Sequence, residues 1–226
     1  MPQAGGSANP ARPVDRCRPS IQCRVLVLAS QSPQRRRLLS EAGLSFDVDP
    51  AGIDEADLPP GLGARAVAVL LAVRKARAVH ARRPGDVVVG SDTVVAVDVD
   101  RREVQLGKPT DEADARRMIA LLAGTTHRVI TGVAVVGRFD RSIVDEAEVD
   151  LREMTDDEID AYVAGGSWRG KAGGYGLQND DPFVTATRGR RDTIIGLPVP
   201  HVKALLAGED EEESSVQAGA KDGRTP

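Results

Sequence analysis

Apolar positions along the chain switch repeatedly between a strand-like and a helix-like period. Arg24–Ala29, around Val25-Leu26-Val27, and Asp86–Gly90, around Val87-Val88-Val89, are short unbroken apolar runs of the kind buried strands show. Thr93–Val97 continues with β-branched residues. Ala64–Arg82 and Asp111–Ala123 carry apolar residues at helical spacing, with Thr110 as the expected N-cap of the second. Another helix opens at Pro33, a residue suited to the first helical position. His127–Val136 and Ser142–Val149 read as longer strands joined by a turn at Gly137–Arg141. Thr155–Gly165 reads as a helix with a capping box, Thr155 being the cap and Glu158 its partner. A Gly-rich loop at Gly170–Gly176, a strand at Pro182–Thr187 and a terminal helix from Pro198 to Gly208 complete the pattern. This alternation predicts an α/β protein with a mixed central sheet and flanking helices.

Composition narrows the function. A chain of 226 residues holds one domain with a sizeable core, or two small lobes around a cleft. Residues 1–22 and 208–226 are polar and read as disordered tails, the second strongly acidic, which leaves 23–207 as the folded domain. Aromatic residues make up 3%, too few for stacking platforms along a nucleic-acid strand, and a net charge of −4 gives no field for duplex binding. Nucleic acid is therefore not an expected partner. No apolar run approaches membrane-spanning length, so no membrane is expected either. The two cysteines, Cys17 and Cys23, form no CxxC pair, which fits a cytoplasmic location.

Four segments are richer in reactive groups than a scaffold needs. Ser30-Gln31-Ser32-Pro33-Gln34-Arg35-Arg36 places hydroxyls and arginines at a helix start, where free N–H groups suit phosphate. Gly52-Ile53-Asp54-Glu55 has adjacent carboxylates, and Gly90-Ser91-Asp92-Thr93 puts an acid at a strand exit. Gly170-Lys171-Ala172-Gly173-Gly174 lets backbone approach a ligand beside a cation. Taken singly, each has a plain alternative: a capped basic helix, a solvated acid, a turn. Gly165–Lys171 matches GxxxxGK, but Ala172 replaces the hydroxyl residue and a helix precedes it, so it is no P-loop.

Together the segments resemble the Maf family of nucleoside triphosphate pyrophosphatases. The resemblance runs from about Val25 to Leu206 through LASQSPQRRRLL, GIDE, VRKARAV, VVVGSDTVV, LGKP, HRVITGVAVV, GKAGGYGLQ and IIGLPV, in that order. It implies the α/β fold shared with inosine triphosphate pyrophosphatases, two lobes around a cleft, and a homodimer. It also implies hydrolysis between the α and β phosphates. Asp92 would accept the proton of the attacking water, with Glu55, Arg36 and Lys75 as the other catalytic residues. Ser30, Lys108 and Lys171 would grip phosphate. The lack of a His/Cys cluster suits a hard divalent cation, Mg²⁺ or Mn²⁺, on Glu55 and Asp92.

Lys75 lies on an apolar-periodic helix, where a lysine ordinarily reaches for solvent; the resemblance turns it toward the substrate instead. Three positions set the base preference in the resemblance, here Gln34, Thr93 and Gln178. Thr93 and Gln178 match the subgroup acting on dTTP and UTP, while Gln34 departs from it by lacking arginine's charge and planar fork. The alternatives are a 7-methyl-GTP or broad modified-nucleotide pyrophosphatase, and a regulatory binding protein in septum formation. Asn179-Asp180-Asp181 reads as an exposed turn.

Overall fold

Val87–Val99 forms one strand, β3, that organises the sheet. The structure, a computed structural model, describes residues 24–137, 140–177 and 181–208, so the expected tails lie almost wholly outside the described residues. Along one edge β3 pairs antiparallel with β5 (Thr126–Val136), from Val88 opposite Val136 to Ala96 opposite Arg128. The expected break at Gly90-Ser91-Asp92-Thr93 is absent, because this continuous partner satisfies the backbone through the polar stretch. Asp92 therefore stands within a strand and not at its exit.

The other edge of β3 is shared by two short strands. β1 (Leu26–Leu28) runs parallel to Val87-Val88-Val89. β4 (Arg102–Leu106), not foreseen from the sequence, folds back antiparallel against Val95–Val99. Between these two partners the edge of β3 over residues 90–94 faces a gap. β2 (Asp47–Val48) pairs with β1, while β6 (Asp140–Leu151) pairs with β5 and β7 (Val184–Arg188) with β6, completing a mixed seven-stranded sheet. β7 begins two residues later than expected.

α1 (Pro33–Glu41) follows β1 and is capped by Ser32, whose side chain accepts from the Arg35 N–H at 3.4 Å. α2 (Ala64–His80) lies across one face, burying Ala64, Val67, Ala68, Leu71, Ala72, Lys75, Ala76 and Val79 at helical spacing. Its approach depends on two glycines of the sheet. A Cβ on Gly90 would stand 2.2 Å from Ala72 O, and one on Gly132 would stand 2.4 Å from Ala68 O. Gly132 lies opposite Asp92 in the strand register, so this close contact is what sets α2 beside the reactive part of β3.

α1, the five-residue α5 (Arg191–Ile195, also unforeseen) and the helical residues 199–208 cover the opposite face, around Leu28, Leu39, Val89, Val133, Leu197 and Val202. α3 (Glu112–Leu122) and α4 (Asp156–Ala164) pack on the far half of the sheet, around Ile119, Leu122, Trp168, Tyr175 and Phe183. The cap of α3 is Asp111, not Thr110: its carboxylate accepts from the Asp114 N–H at 2.7 Å, and Thr110 donates its own N–H to Asp114. The capping box of α4 is present as read. Apolar clusters thus lie on both faces of the sheet and on its far half. No helix among the described residues is long and apolar enough to cross a membrane.

Candidate active site

The gap along β3 opens into a cleft of about 1100 Å³. Because side chains alternate along a strand, Asp92 points to the α2 face and Thr93 to the face of α1 and α5. The cleft reaches both through the unpaired edge.

On the α2 side, Lys75 Nζ lies 2.6 Å from Asp92 Oδ1 and 2.8 Å from Glu55 Oε1. Lys75 and Asp92 are each only 6% exposed. Helical phase explains the lysine: position 75 belongs to the face packed on the sheet, so its ammonium cannot turn to bulk water. The two carboxylates are driven apart. Burial raises the Asp92 pKa above the ordinary value, more than Lys75 and Arg35 lower it. Burial also pushes Glu55 upward, but Lys75, Lys108 and Arg35 together outweigh it and hold Glu55 below its ordinary value. Such divergence is what an acid–base pair needs, and Asp92 is the better proton acceptor of the two.

On the other face, the guanidinium of Arg35 is buried and held at three points. Nε donates to Gly196 O at 2.8 Å, Nη1 to Ser30 Oγ at 3.3 Å and Nη2 to Thr93 Oγ1 at 3.1 Å. Ser30 is itself buried and accepts from the Ser32 N–H at 3.2 Å. Arg36, the arginine singled out from sequence, is exposed and does not line the cleft. The sign of this was available in the sequence: Leu39 must face the core, and four residues back on the same helical face is Arg35.

Lys108 stands exposed at the cleft mouth yet crowded by its walls, and burial together with the nearby Lys75 and Arg35 lowers its pKa against the pull of Glu55 and Asp92. Lys171 Nζ is buried without a hydrogen-bond partner among the described residues; burial lowers its pKa, with Asp181 opposing. Counting Arg169, five basic side chains line the cleft against two carboxylates. Gln34 and Thr93 line it as well; Gln178 lies outside the described residues.

A family model described as Maf-like protein matches residues 25–209. The chain belongs to the Maf family. It is 46% identical over 188 residues to a dTTP/UTP pyrophosphatase of Caulobacter vibrioides, covering 81% of this chain and 94% of that one. A dTTP/UTP pyrophosphatase of Anaeromyxobacter dehalogenans is 44% identical, with 80% and 92% covered. Among solved structures, a HAM1 protein from Coxiella burnetii aligns with a TM-score of 0.44 at 15% identity, covering 82% of this chain and 99% of that one.

The glycine loop of this Maf-family chain is held by groups that sequence reasoning passed over. Asp181 is buried and not in an exposed turn: one carboxylate oxygen accepts from Tyr162 OH at 3.1 Å and from the Gly176 N–H at 3.0 Å. Gly173 N donates to Gly107 O at 2.9 Å, tying the Lys171 loop to the Lys108 turn. Tyr175 OH lies 2.5 Å from His127 Nε2. Tyr175 OH has no other acceptor among the described residues, so it donates to Nε2 of the neutral ring. Burial keeps that histidine neutral, its pKa lowered to about 4.

Proposed function

We propose that this chain is a nucleoside triphosphate pyrophosphatase that hydrolyses dTTP and UTP to the nucleoside monophosphate and pyrophosphate. The observation that carries the reading is the buried Asp92, bridged to Glu55 through Lys75, inside a cleft lined by five basic side chains. A triphosphate brings about four negative charges, and its hydrolysis depends on positioning and on charge stabilisation. The relatives above carry the same activity in their names over some 80% of this chain.

Ser30, Arg35, Lys108 and Lys171 bind and orient the phosphates. Arg35 presents a fixed planar fork, which suits two phosphate oxygens better than a lone ammonium would. Lys171, whose buried Nζ has no hydrogen-bond partner among the described residues, gains one when a phosphate enters. Asp92, made more basic by burial, takes the proton of the attacking water at its carboxylate. Lys75 holds Asp92 and Glu55 in place and limits their mutual repulsion.

The donor set also fits a hard divalent cation. Two carboxylates face the cleft, and each gives only one oxygen to Lys75, leaving Glu55 Oε2 and Asp92 Oδ2 as hard donors. That suits Mg²⁺ or Mn²⁺, which take one or two carboxylates and fill their remaining positions with water and substrate phosphates. Glu55 and Asp92 would hold the ion, and when bound it would neutralise developing charge on the phosphates.

Base preference follows from Thr93 in the cleft wall and from Gln178, whose amide can both donate and accept toward a uracil or thymine edge. The test is a panel of dTTP, UTP, ATP, GTP and 7-methyl-GTP with Mg²⁺ or Mn²⁺, read as pyrophosphate and monophosphate. dTTP and UTP should be hydrolysed fastest. Equal or faster hydrolysis of the purine nucleotides would overturn the preference, and release of no pyrophosphate from any of them would overturn the activity.

A further inference from the structure

A line of hydrogen bonds leaves the cleft at Arg35 and ends on α5. Arg35 Nη2 donates to Thr93 Oγ1 at 3.1 Å, Thr93 Oγ1 lies 3.0 Å from Thr131 Oγ1, and Thr131 Oγ1 donates to Thr193 O at 2.8 Å. Elementary chemistry sets the direction of every proton along it. The Thr193 carbonyl can only accept, so the single hydroxyl proton of Thr131 points there. Thr131 therefore meets Thr93 with a lone pair, and Thr93 commits its own proton to Thr131. What Thr93 then presents to Arg35 is a lone pair, the form required by a guanidinium that has donors and no acceptor.

The arrangement is built into the core. Thr131 is 0% exposed, lies directly opposite Thr93 in the register of β3 and β5, and does not line the cleft. Thr193 O is one of the carbonyls that the end of a short helix leaves without an intrahelical partner. Just beyond it, Gly196 O accepts from Arg35 Nε and from Ser91 Oγ at 2.9 Å. The end of α5 thus holds Arg35 twice, once directly and once through the two threonines.

We propose that Thr131 is a positioning residue for the hydrolysis, orienting the Thr93 hydroxyl and through it the phosphate-binding fork of Arg35. This rests on the reading of the cleft as a triphosphate site. Without the Thr131 lone pair, the Thr93 proton is free to turn toward Arg35, setting donor against donor.

The experiment compares dTTP hydrolysis by wild type, Thr131→Val and Thr131→Ser, and by Thr131→Val combined with Arg35→Lys. Rates are normalised to the folded fraction read from the fluorescence of Trp168, the single tryptophan. Valine keeps the branched shape and removes the hydroxyl; serine keeps the hydroxyl. Thr131→Val should lower kcat/KM about tenfold, the scale of one lost hydrogen bond to a charged group. Thr131→Ser should stay within about threefold of wild type, and adding Thr131→Val to Arg35→Lys should cost less than about twofold more.

Three results would overturn the proposal: a valine variant as active as wild type, a serine variant as impaired as valine, or an undiminished valine effect in the Arg35→Lys background. Should Thr131→Val not yield folded protein, Thr93→Val interrupts the same line while leaving the Thr131–Thr193 bond intact. It must then show the same loss and the same lack of additivity with Arg35→Lys, and full additivity would refute the idea. A wild type that releases no pyrophosphate removes the functional reading and this inference together. An active wild type with an unimpaired, folded Thr131→Val removes this inference alone.

Discussion

Arg35 and Arg36 are neighbours in sequence with opposite surroundings, one buried and one exposed, and replacing each tests the phosphate-binding role proposed for Arg35. Arg35→Lys keeps one positive charge but cannot reproduce three donors in a plane. Of its three bonds, the 2.8 Å contact to Gly196 O is the shortest, and that carbonyl still accepts from Ser91 when the arginine is gone. Ser30 Oγ keeps the Ser32 N–H, and Thr93 Oγ1 keeps Thr131. None of the three partners is orphaned, so the stability cost should sit near the low end for a charged hydrogen bond, about 1–2 kcal/mol. On the proposed role the catalytic cost should be larger, because a planar fork facing the phosphates is lost where charge develops. One charge-assisted bond of about 1.5–3 kcal/mol corresponds to about a 10- to 150-fold fall in kcat/KM. Arg36→Ala, an exposed change outside the cleft, should alter stability and kcat/KM by less than about 0.5 kcal/mol. Initial rates of pyrophosphate release from dTTP, with a thermal melt of each variant, measure both. An Arg35→Lys enzyme within threefold of wild type, beside an Arg36→Ala enzyme ten times slower, would refute the assignment.

Asp92→Asn should slow turnover at least about a hundredfold yet leave the ligand-free protein as stable as wild type or more so at pH 7. The folded pKa of Asp92 is raised, so its contribution to stability is present below the ordinary carboxylate value and is lost as pH rises through the raised one. Neutral asparagine avoids that loss, and melts at pH 7 and pH 4 should show its advantage disappear in acid. His127 has the opposite sign: its lowered pKa of about 4 gives stability that is present above about 6.5 and lost as pH falls toward 4. That loss is worth about 3 kcal/mol, and His127→Gln, which still offers Tyr175 an acceptor, should flatten the slope in urea titrations across this range. Gly90→Ala would drive a methyl into the backbone of α2, costing about 1–3 kcal/mol or more and misaligning Lys75 from Asp92. Wild-type stability and rate in that variant would contradict the close-packing account.

Periodicity carried most of the fold, because strands and helices that face a core must repeat every two or every three to four residues. It failed where tertiary partners overrule local pattern. β5 carries β3 through the polar Gly90-Ser91-Asp92-Thr93, and β4 is a short edge strand whose two charged leading residues hide its alternation. α5 is five residues long, preceded by Arg190 and opening with Arg191 and Asp192, so it offers no apolar stripe to read. In the site, Ser30, Glu55, Lys75, Asp92, Lys108 and Lys171 come together around one cleft. The choice between Arg35 and Arg36 turned on helical phase, which the position of Leu39 already implied. Asp181, Tyr175 and Thr131 were not legible, since a buried hydrogen bond between distant segments leaves no local spacing to detect.

On the proposed function, the cleft cleaves a nucleoside triphosphate between its α and β phosphates with Asp92 as the proton acceptor. Product analysis of dTTP turnover by wild type and Asp92→Asn, in the presence of Mg²⁺, tests it most directly. The expected products are dTMP and pyrophosphate from the wild type, formed at least about a hundredfold more slowly by the folded variant. Release of dTDP and orthophosphate, or unchanged pyrophosphate release by Asp92→Asn, would contradict it.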